Sequence, residues 1–399
     1  MELTKREKLM LKGNEGEGVQ KAMEILVTLA EIYNARKMVE IKSAQVAGVS
    51  YKNLGDAGLE FLEEWAEEGA KVKVPTTLNP AGMDLKNWKK LGIPEEFAKK
   101  QLMVVKAYEK MGAKPTCTCT PYLVGNLPTF GDHIAWSESS AVCYANSVIG
   151  ARTNREGGPS ALAAAIAGRT PLYGYHLDEN RKGKFLIEVE CKLDKISDFG
   201  ALGYLVGKKI GNSVPYFKGI QKADSDQLKA LGAAMAASGA VALFHVKEIT
   251  PEAKLHNTVS ESAETIVIDS LKEAYRELNA ETGEIDFVAI GCPHASLAEI
   301  EQIADLLKGQ EVRAKLWITT SSEVKEMAKR KSLLEKIEKS GANIVADTCM
   351  IVAPIKEMGL KNMATNAGKA AFYAPAHCGV NVRFGSLDKC IEAAVTGRW

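Results

Sequence analysis

Eight cysteines are spread through 399 residues, too few for a disulfide scaffold in a chain of this length. In a reducing compartment their use is thiol or metal chemistry, and three of them share a context. Cys119 lies in Thr116-Cys117-Thr118-Cys119-Thr120-Pro121-Tyr122, past a predicted helix and before a proline turn. Cys292 directly follows the apolar run Phe287–Ile290 in Gly291-Cys292-Pro293-His294, and Cys349 directly follows Ile344–Ala346 in Asp347-Thr348-Cys349-Met350. The last two therefore stand at predicted strand ends, the edge on which an α/β sheet binds ligands. Cys143, Cys191 and Cys390 fall inside predicted helices or strands and read as small buried hydrophobes, while Cys378 fits either use. There is no Cys-x-x-Cys pair of the kind common in structural zinc sites, and no compact four-cysteine run of the ferredoxin type.

The elements that would hold these residues alternate between strand and helix. Thr4 and Glu7 form a capping box for a short helix ending at Gly13. Apolar periodicity predicts helices over 19–35, 260–279, 296–308, 322–340 and 361–370, with another around Leu59, Phe61, Leu62 and Trp65. Strands are predicted at Met38–Ile41, Val72–Val74, Val241–Val246, Phe287–Ile290, Lys315–Ile318 and Asn343–Ala346. Such alternation implies an α/β protein with parallel sheets covered by helices on both faces. The length calls for several closely packed α/β domains, placed at roughly 1–120, 121–235 and 236–399. A net charge of +1 offers no global field for nucleic acid or an anionic membrane surface. With no apolar run of about 18 residues and a charged start at Met1–Lys8, a cytoplasmic protein with neither a nucleic-acid nor a membrane partner is expected.

Several segments together resemble the large subunit of the aconitase X family. These are Leu11-Lys12-Gly13-Asn14-Glu15-Gly16, Cys119-Thr120-Pro121-Tyr122, and the long run from Trp136-Ser137-Glu138-Ser139 through Gly150-Ala151-Arg152-Thr153-Asn154-Arg155-Glu156-Gly157-Gly158. Gly291-Cys292-Pro293-His294, Asp347-Thr348-Cys349 and Thr365-Asn366-Ala367-Gly368-Lys369 complete the resemblance, which runs essentially end to end. It implies an aconitase-like fold and an iron–sulfur cluster, expected as 4Fe–4S with one open iron, held by Cys119, Cys292 and Cys349. Cys117 competes with Cys119 as the first ligand. Family members dehydrate 5-phosphomevalonate or cis-3-hydroxy-L-proline, and the implied activity is that of the phosphomevalonate-type hydro-lyases of the mevalonate pathway. The family's base is a serine on a swivelling domain. The chain reaches Trp399 soon after Lys369, so a separate small subunit carrying that domain and serine is expected as partner.

Removing water from a hydroxy acid needs donors for the substrate's anionic groups, a Lewis acid for the departing hydroxide and a base for the carbon acid. Arg152 and Arg155 flank Thr153-Asn154 in a polar loop, where a planar guanidinium binds carboxylate or phosphate in two-point fashion unless the pair is merely solvated. Gly48-Val49-Ser50 lies between a strand and a helix, so its amides suit an anion or simply a βα turn. Asn79-Pro80 occupies an analogous loop, as substrate contact or ordinary turn. Glu138 and Ser139 would orient a hydroxyl or water, or cap a helix. Lys369 pairs with a substrate anion or is a solvated helix residue, and His294 more readily satisfies local backbone groups than takes part in chemistry. A cluster-holding regulatory or RNA-binding protein is the rival from another class; near-neutral charge and the lack of an aromatic–basic stripe weigh against it.

Overall fold

The computed structural model describes residues 1–255 and 258–399. Its largest sheet holds five parallel strands, β10 (Phe287–Ile290), β11 (Lys315–Thr320), β12 (Asn343–Ala346), β13 (Asn362–Thr365) and β14 (Asn381–Phe384). All four residues of β10 are buried, as a central strand covered on both faces requires. The spatial order is β12-β11-β10-β13-β14. The chain thus moves from β10 to one side for β11 and β12, then crosses back for β13 and β14. In an open parallel sheet such a reversal opens a crevice at the carboxyl ends of the strands beside it.

A smaller parallel sheet has β2 (Ala44–Val46) between β3 (Thr76–Leu78) and β4 (Ala135–Trp136). A third, also parallel, is ordered β8-β7-β6-β9, from β8 (His245–Val246) and β7 (Pro215–Lys218) to β6 (Gly183–Val189) and β9 (Val259–Ile268). β1 (Met38–Glu40) and β5 (Arg169–Pro171) form a short antiparallel ribbon. The small and five-stranded sheets are joined at their carboxyl ends by a parallel bridge between Ala81 and Thr348, where the Ala81 N–H donates to the Asp347 carbonyl at 2.8 Å. Helix Ser225–Ser238 packs against helices Ile196–Ile210, Ser139–Tyr144 and Gly368–Cys378, so one helix touches structure from all three sheets. No described helix is long and apolar enough to cross a membrane.

The α/β architecture with helix-covered parallel sheets is the expected one, and the Thr4/Glu7 capping box is present on helix Lys5–Leu11. Several local expectations are corrected. The strand expected at Val72–Val74 is instead Thr76–Leu78, directly before the Asn79-Pro80 loop. Only His245–Val246 of the 241–246 run is a strand. The helix expected over 260–279 is the ten-residue β9 followed by helix Lys272–Glu277, and that expected over 361–370 is β13 followed by helix Gly368–Cys378. The long helix at 322–340 breaks at Ser332, whose φ is +57°. Cys191 lies just beyond β6, partly exposed, rather than inside an element.

Close approach of helix Gly368–Cys378 to helix Ile196–Ile210 depends on glycine. A Cβ at Gly368 would lie 2.8 Å from the Gly200 carbonyl oxygen and 3.3 Å from Ala234 Cβ. Gly368→Ala is therefore expected to lower unfolding stability by ~1–3 kcal/mol through overpacking, read as a drop in the urea midpoint. An unchanged midpoint would show that the helices separate without cost.

Candidate active site at the facing sheet ends

The loops leaving the strands of the two joined sheets surround one cavity of about 310 Å³. From the small sheet come Ala47 and Gly48 after β2, Asn79 and Pro80 after β3, and Ser137, Glu138 and Ser139 after β4. The five-stranded sheet contributes Cys292 after β10, Cys349 after β12 and Lys369 at the start of the helix after β13. Cys119 completes the wall. It ends a segment that runs beside β3, with the Lys114 N–H on the Thr76 carbonyl and the Thr118 N–H on the Leu78 carbonyl. Cys117, by contrast, is fully buried in the apolar core beneath the small sheet and does not line the cavity. The geometry thus separates two cysteines that the sequence leaves in competition.

Burial raises the pKa of all three cavity thiols. Cys119 is pushed up to about 12, chiefly by burial, with Glu138 adding to it and Lys369 opposing. Cys292 lies well above the ordinary thiol value and Cys349 is also raised, burial being the leading cause in both. Such thiols are protonated at neutral pH unless a metal supplies compensating charge. Among the described residues, no three His, Cys, Asp or Glu side chains converge tightly enough to hold a single metal ion. An iron–sulfur cluster makes a different demand, because its thiolates bind separate irons around a larger body. Three soft donors from three loops around one cavity, with no fourth cysteine on its wall, fit a cluster that has one iron without a protein thiolate.

Glu138 and Lys369 meet as a buried ion pair across the cavity wall. Glu138 is also the N-cap of helix Ser139–Tyr144: it accepts from the Ala141 N–H and the Ser140 hydroxyl, each at 2.6 Å, and from the Ser139 hydroxyl at 3.3 Å. The capping alternative for Glu138 is present, together with an ion pair that the sequence does not signal. Burial alone would raise the Glu138 pKa, but Lys369 and these donors outweigh it and hold the carboxyl below its usual value. Burial likewise opposes the Lys369 charge, and Glu138 more than restores it, leaving the ammonium more basic than usual. Gln45 organises the wall from below, accepting from the Glu138 N–H at 2.9 Å and donating to Asn79 Oδ1 at 3.3 Å.

Arg155 lines the cavity, is exposed, and has no carboxylate partner among the described residues; one Nη reaches the Ala236 carbonyl at 3.5 Å. Arg152 does not reach the site. Its guanidinium donates to the His176 carbonyl at 3.2 Å and pairs with Asp178, because residues three apart in an extended segment face opposite ways. Of Gly48-Val49-Ser50, only Gly48 lines the cavity. The Val49 side chain joins the core, and the Ser50 hydroxyl donates to the Val352 carbonyl at 3.2 Å, tying this turn to the Cys349 loop. The sequence reading missed Ala47, Asn53, Ser137, Ile351, Val352, Tyr373 and His377. Tyr373 and His377 had a usable signal: with Lys369 they fall at successive four-residue steps on one helix face.

Two further cavities help to define the site. One of about 340 Å³ shares Ala47, Gly48, Ser137 and Arg155 with it, so these four stand at the junction. Its remaining wall is mainly apolar, with Leu54, Phe61 and Leu162, and holds Glu156, whose carboxyl burial drives upward. Among the described residues, Arg155 is the only basic side chain that lines it. A wider cleft of about 870 Å³ around Tyr33, Arg36 and Tyr173 contains no cysteine.

Sequence profiles of the aconitase X first, second and third domains match residues 1–179, 183–276 and 285–396. The chain belongs to the aconitase X family. It is similar to the phosphomevalonate dehydratase large subunit of Methanocaldococcus jannaschii, at 53% identity over 98% of this chain and 100% of that protein. The cis-3-hydroxy-L-proline dehydratase of Pseudomonas aeruginosa is 39% identical over 98% of this chain and 69% of its own length. The crystal structure of Thermococcus kodakaraensis aconitase X in its holo form superposes with a TM-score of 0.93 at 50% identity, covering 99% of this chain and 100% of that one.

Lys369→Met would leave Glu138 buried without its counter-charge, a loss of about 3–5 kcal/mol at neutral pH. Because the folded Glu138 pKa is depressed, the pair's stabilisation is full above the unfolded carboxyl value and fades as pH falls through the folded one. The deficit of the variant should therefore shrink on acidification, as protonation removes the stranded charge. A deficit in chemical denaturation that stays constant with pH would contradict this assignment.

Proposed function

We propose that this chain is the large subunit of a phosphomevalonate dehydratase, which removes water from (R)-5-phosphomevalonate to give trans-anhydromevalonate 5-phosphate. The observation that carries the reading is the convergence of Cys119, Cys292 and Cys349 on one cavity beside Lys369 and Arg155. Its support from relatives is the 50–53% identity with four proteins named phosphomevalonate dehydratase large subunit, although a fifth of that name is 37% identical, against 39% with the hydroxyproline enzyme. In this reading the three thiolates hold a 4Fe–4S cluster. When bound, the cluster supplies Lewis acidity toward the substrate hydroxyl. The three sheet-centred units serve as the domains.

The chain's own residues bind and orient. Arg155, at the cavity junction with its fork uncommitted to any carboxylate, engages an anionic end of the substrate in two-point fashion. Gly48 brings backbone to the same junction without a side chain in the way. Lys369 places positive charge beside the thiols while holding Glu138 as a carboxylate, and Glu138 with Ser139 orients the hydroxyl or a water. Asn79, whose carbonyl oxygen is taken by Gln45, keeps its amide nitrogen for substrate, and Pro80 fixes that turn. The base that takes the proton next to the carboxylate is assigned to a serine on the swivelling domain of a small subunit, as the relatives' name "large subunit" suggests a two-chain enzyme.

Anaerobic reconstitution with the small subunit is expected to give water loss from (R)-5-phosphomevalonate and none from cis-3-hydroxy-L-proline; turnover of only the latter would reject the substrate assignment. Serine at Cys119, Cys292 or Cys349 should sharply lower bound iron, whereas Cys117→Ser should retain it. Arg155→Gln should raise KM by roughly 10-fold or more, the value of one or two charge-assisted hydrogen bonds, with a smaller effect on kcat. An unchanged KM would remove Arg155 from the anion site.

A further inference from the structure

His294 is completely buried, is absent from the cavity wall, sits on the Cys292 loop and bonds to both other loops that carry a cavity thiol. It follows Cys292 by two residues. Its main-chain N–H donates to Cys119 Sγ at 3.2 Å. Ring Nε2 is 2.8 Å from the carbonyl of Thr348, the residue before Cys349. A carbonyl only accepts, so the ring proton is on Nε2. Nδ1 must then accept from the hydroxyl of Thr118, the residue before Cys119, also at 2.8 Å. That hydroxyl oxygen is itself fixed by the Thr120 N–H at 3.1 Å. The His294 carbonyl accepts from Lys229 Nζ at 3.3 Å, and Lys229 is buried between Asp226 and Glu299. The histidine is thus anchored from helix Ser225–Ser238 on one side and grips two loops on the other.

The other buried histidines differ. His176 and His245 each leave one ring nitrogen without a partner among the described residues. We propose that His294 is a positioning residue that sets the mutual spacing of the Cys119, Cys292 and Cys349 thiols, and with it the retention of the group they hold. The inference rests on the reading that these three cysteines hold an iron–sulfur cluster. The side chain does not line the cavity, and its ring hydrogen bonds go to Thr118 and Thr348 rather than to a thiol. It acts by fixing the residue before Cys119 against the residue before Cys349, while the backbone of the same residue fixes Cys119 against the Cys292 turn. Outer partners of this kind are commonly worth 10–100-fold in metal retention.

The test uses anaerobically reconstituted full-length protein and reads iron per chain, the visible absorbance of the cluster and the rate of iron loss to a chelator. Thermal melting of each apoprotein is followed alongside. His294→Ala is expected to lose iron about 10-fold faster than the parent. His294→Gln, which can still donate to the Thr348 carbonyl, should restore part of the difference. Ile300→Ala, in the apolar core of the same five-stranded unit, serves as a destabilised control and should release iron at the parental rate. Parental release from His294→Ala, or equal acceleration in the Ile300→Ala control, overturns the proposal. Should His294→Ala not fold, Thr118→Val removes one of the two ring bonds with little change of shape, and the same two results decide. A parent protein that retains no iron fails earlier and rejects the cysteine assignment itself.

Discussion

Two opposite charges, each at the carboxyl end of a different sheet, meet in the interior: Glu138 after β4 and Lys369 after β13. Neither is stable there alone, because a buried charge without a partner costs several kcal/mol. Their pairing fixes the two sheets in register across the cavity, and the rest of the site follows from that constraint. The Ala81–Thr348 bridge joins the same sheet ends through the main chain, and the Gly368–Gly200 approach lets the lysine's helix sit deeply enough to reach. A pair that also caps a helix and orders two serines leaves Glu138 little rotational freedom.

Around this pair the parallel sheets place chemistry by topology. Cys292 and Cys349 leave strands β10 and β12, and Lys369 follows β13 across the reversal in strand order. Residues far apart in the chain thus become neighbours through a rule of sheet construction rather than through local sequence. The third sheet contributes none of its strand ends to the cavity wall. Its helices brace the site from behind, and helix Ser225–Ser238 supplies Lys229 to the carbonyl of His294.

Legibility in the sequence varied with the range of the interaction. Thr4 and Glu7 were readable as a cap because the signal is three residues long, and Cys292 and Cys349 were readable as strand-end residues because each follows an unbroken apolar run. β9 was not. Its Glu261 and Glu264 give a charge spacing that mimics a helix face, whereas the exposed face of an edge strand accommodates both. The strand in Asn362–Thr365 was hidden for another reason: it is four residues long and runs directly into helix Gly368–Cys378. The choice of three cysteines came from family resemblance; spacing alone did not make it. The Glu138–Lys369 pair and the three-loop grip of His294 join distant parts of the chain, and no local pattern announces such contacts.

The separation of the three thiols along the chain has a consequence for the order of events in the life of the protein. While the chain is being made, Cys119 emerges long before Cys292 and Cys349, and no two of the three share a local turn that could gather metal early. The donor set comes into being only once β10, β12 and the segment beside β3 have all taken their places. A cluster held on these thiols would therefore bind a chain whose sheets are already in place. Burial raises the pKa of all three thiols, so the folded apoprotein offers them as neutral groups, and a metal bound there would have to displace their protons.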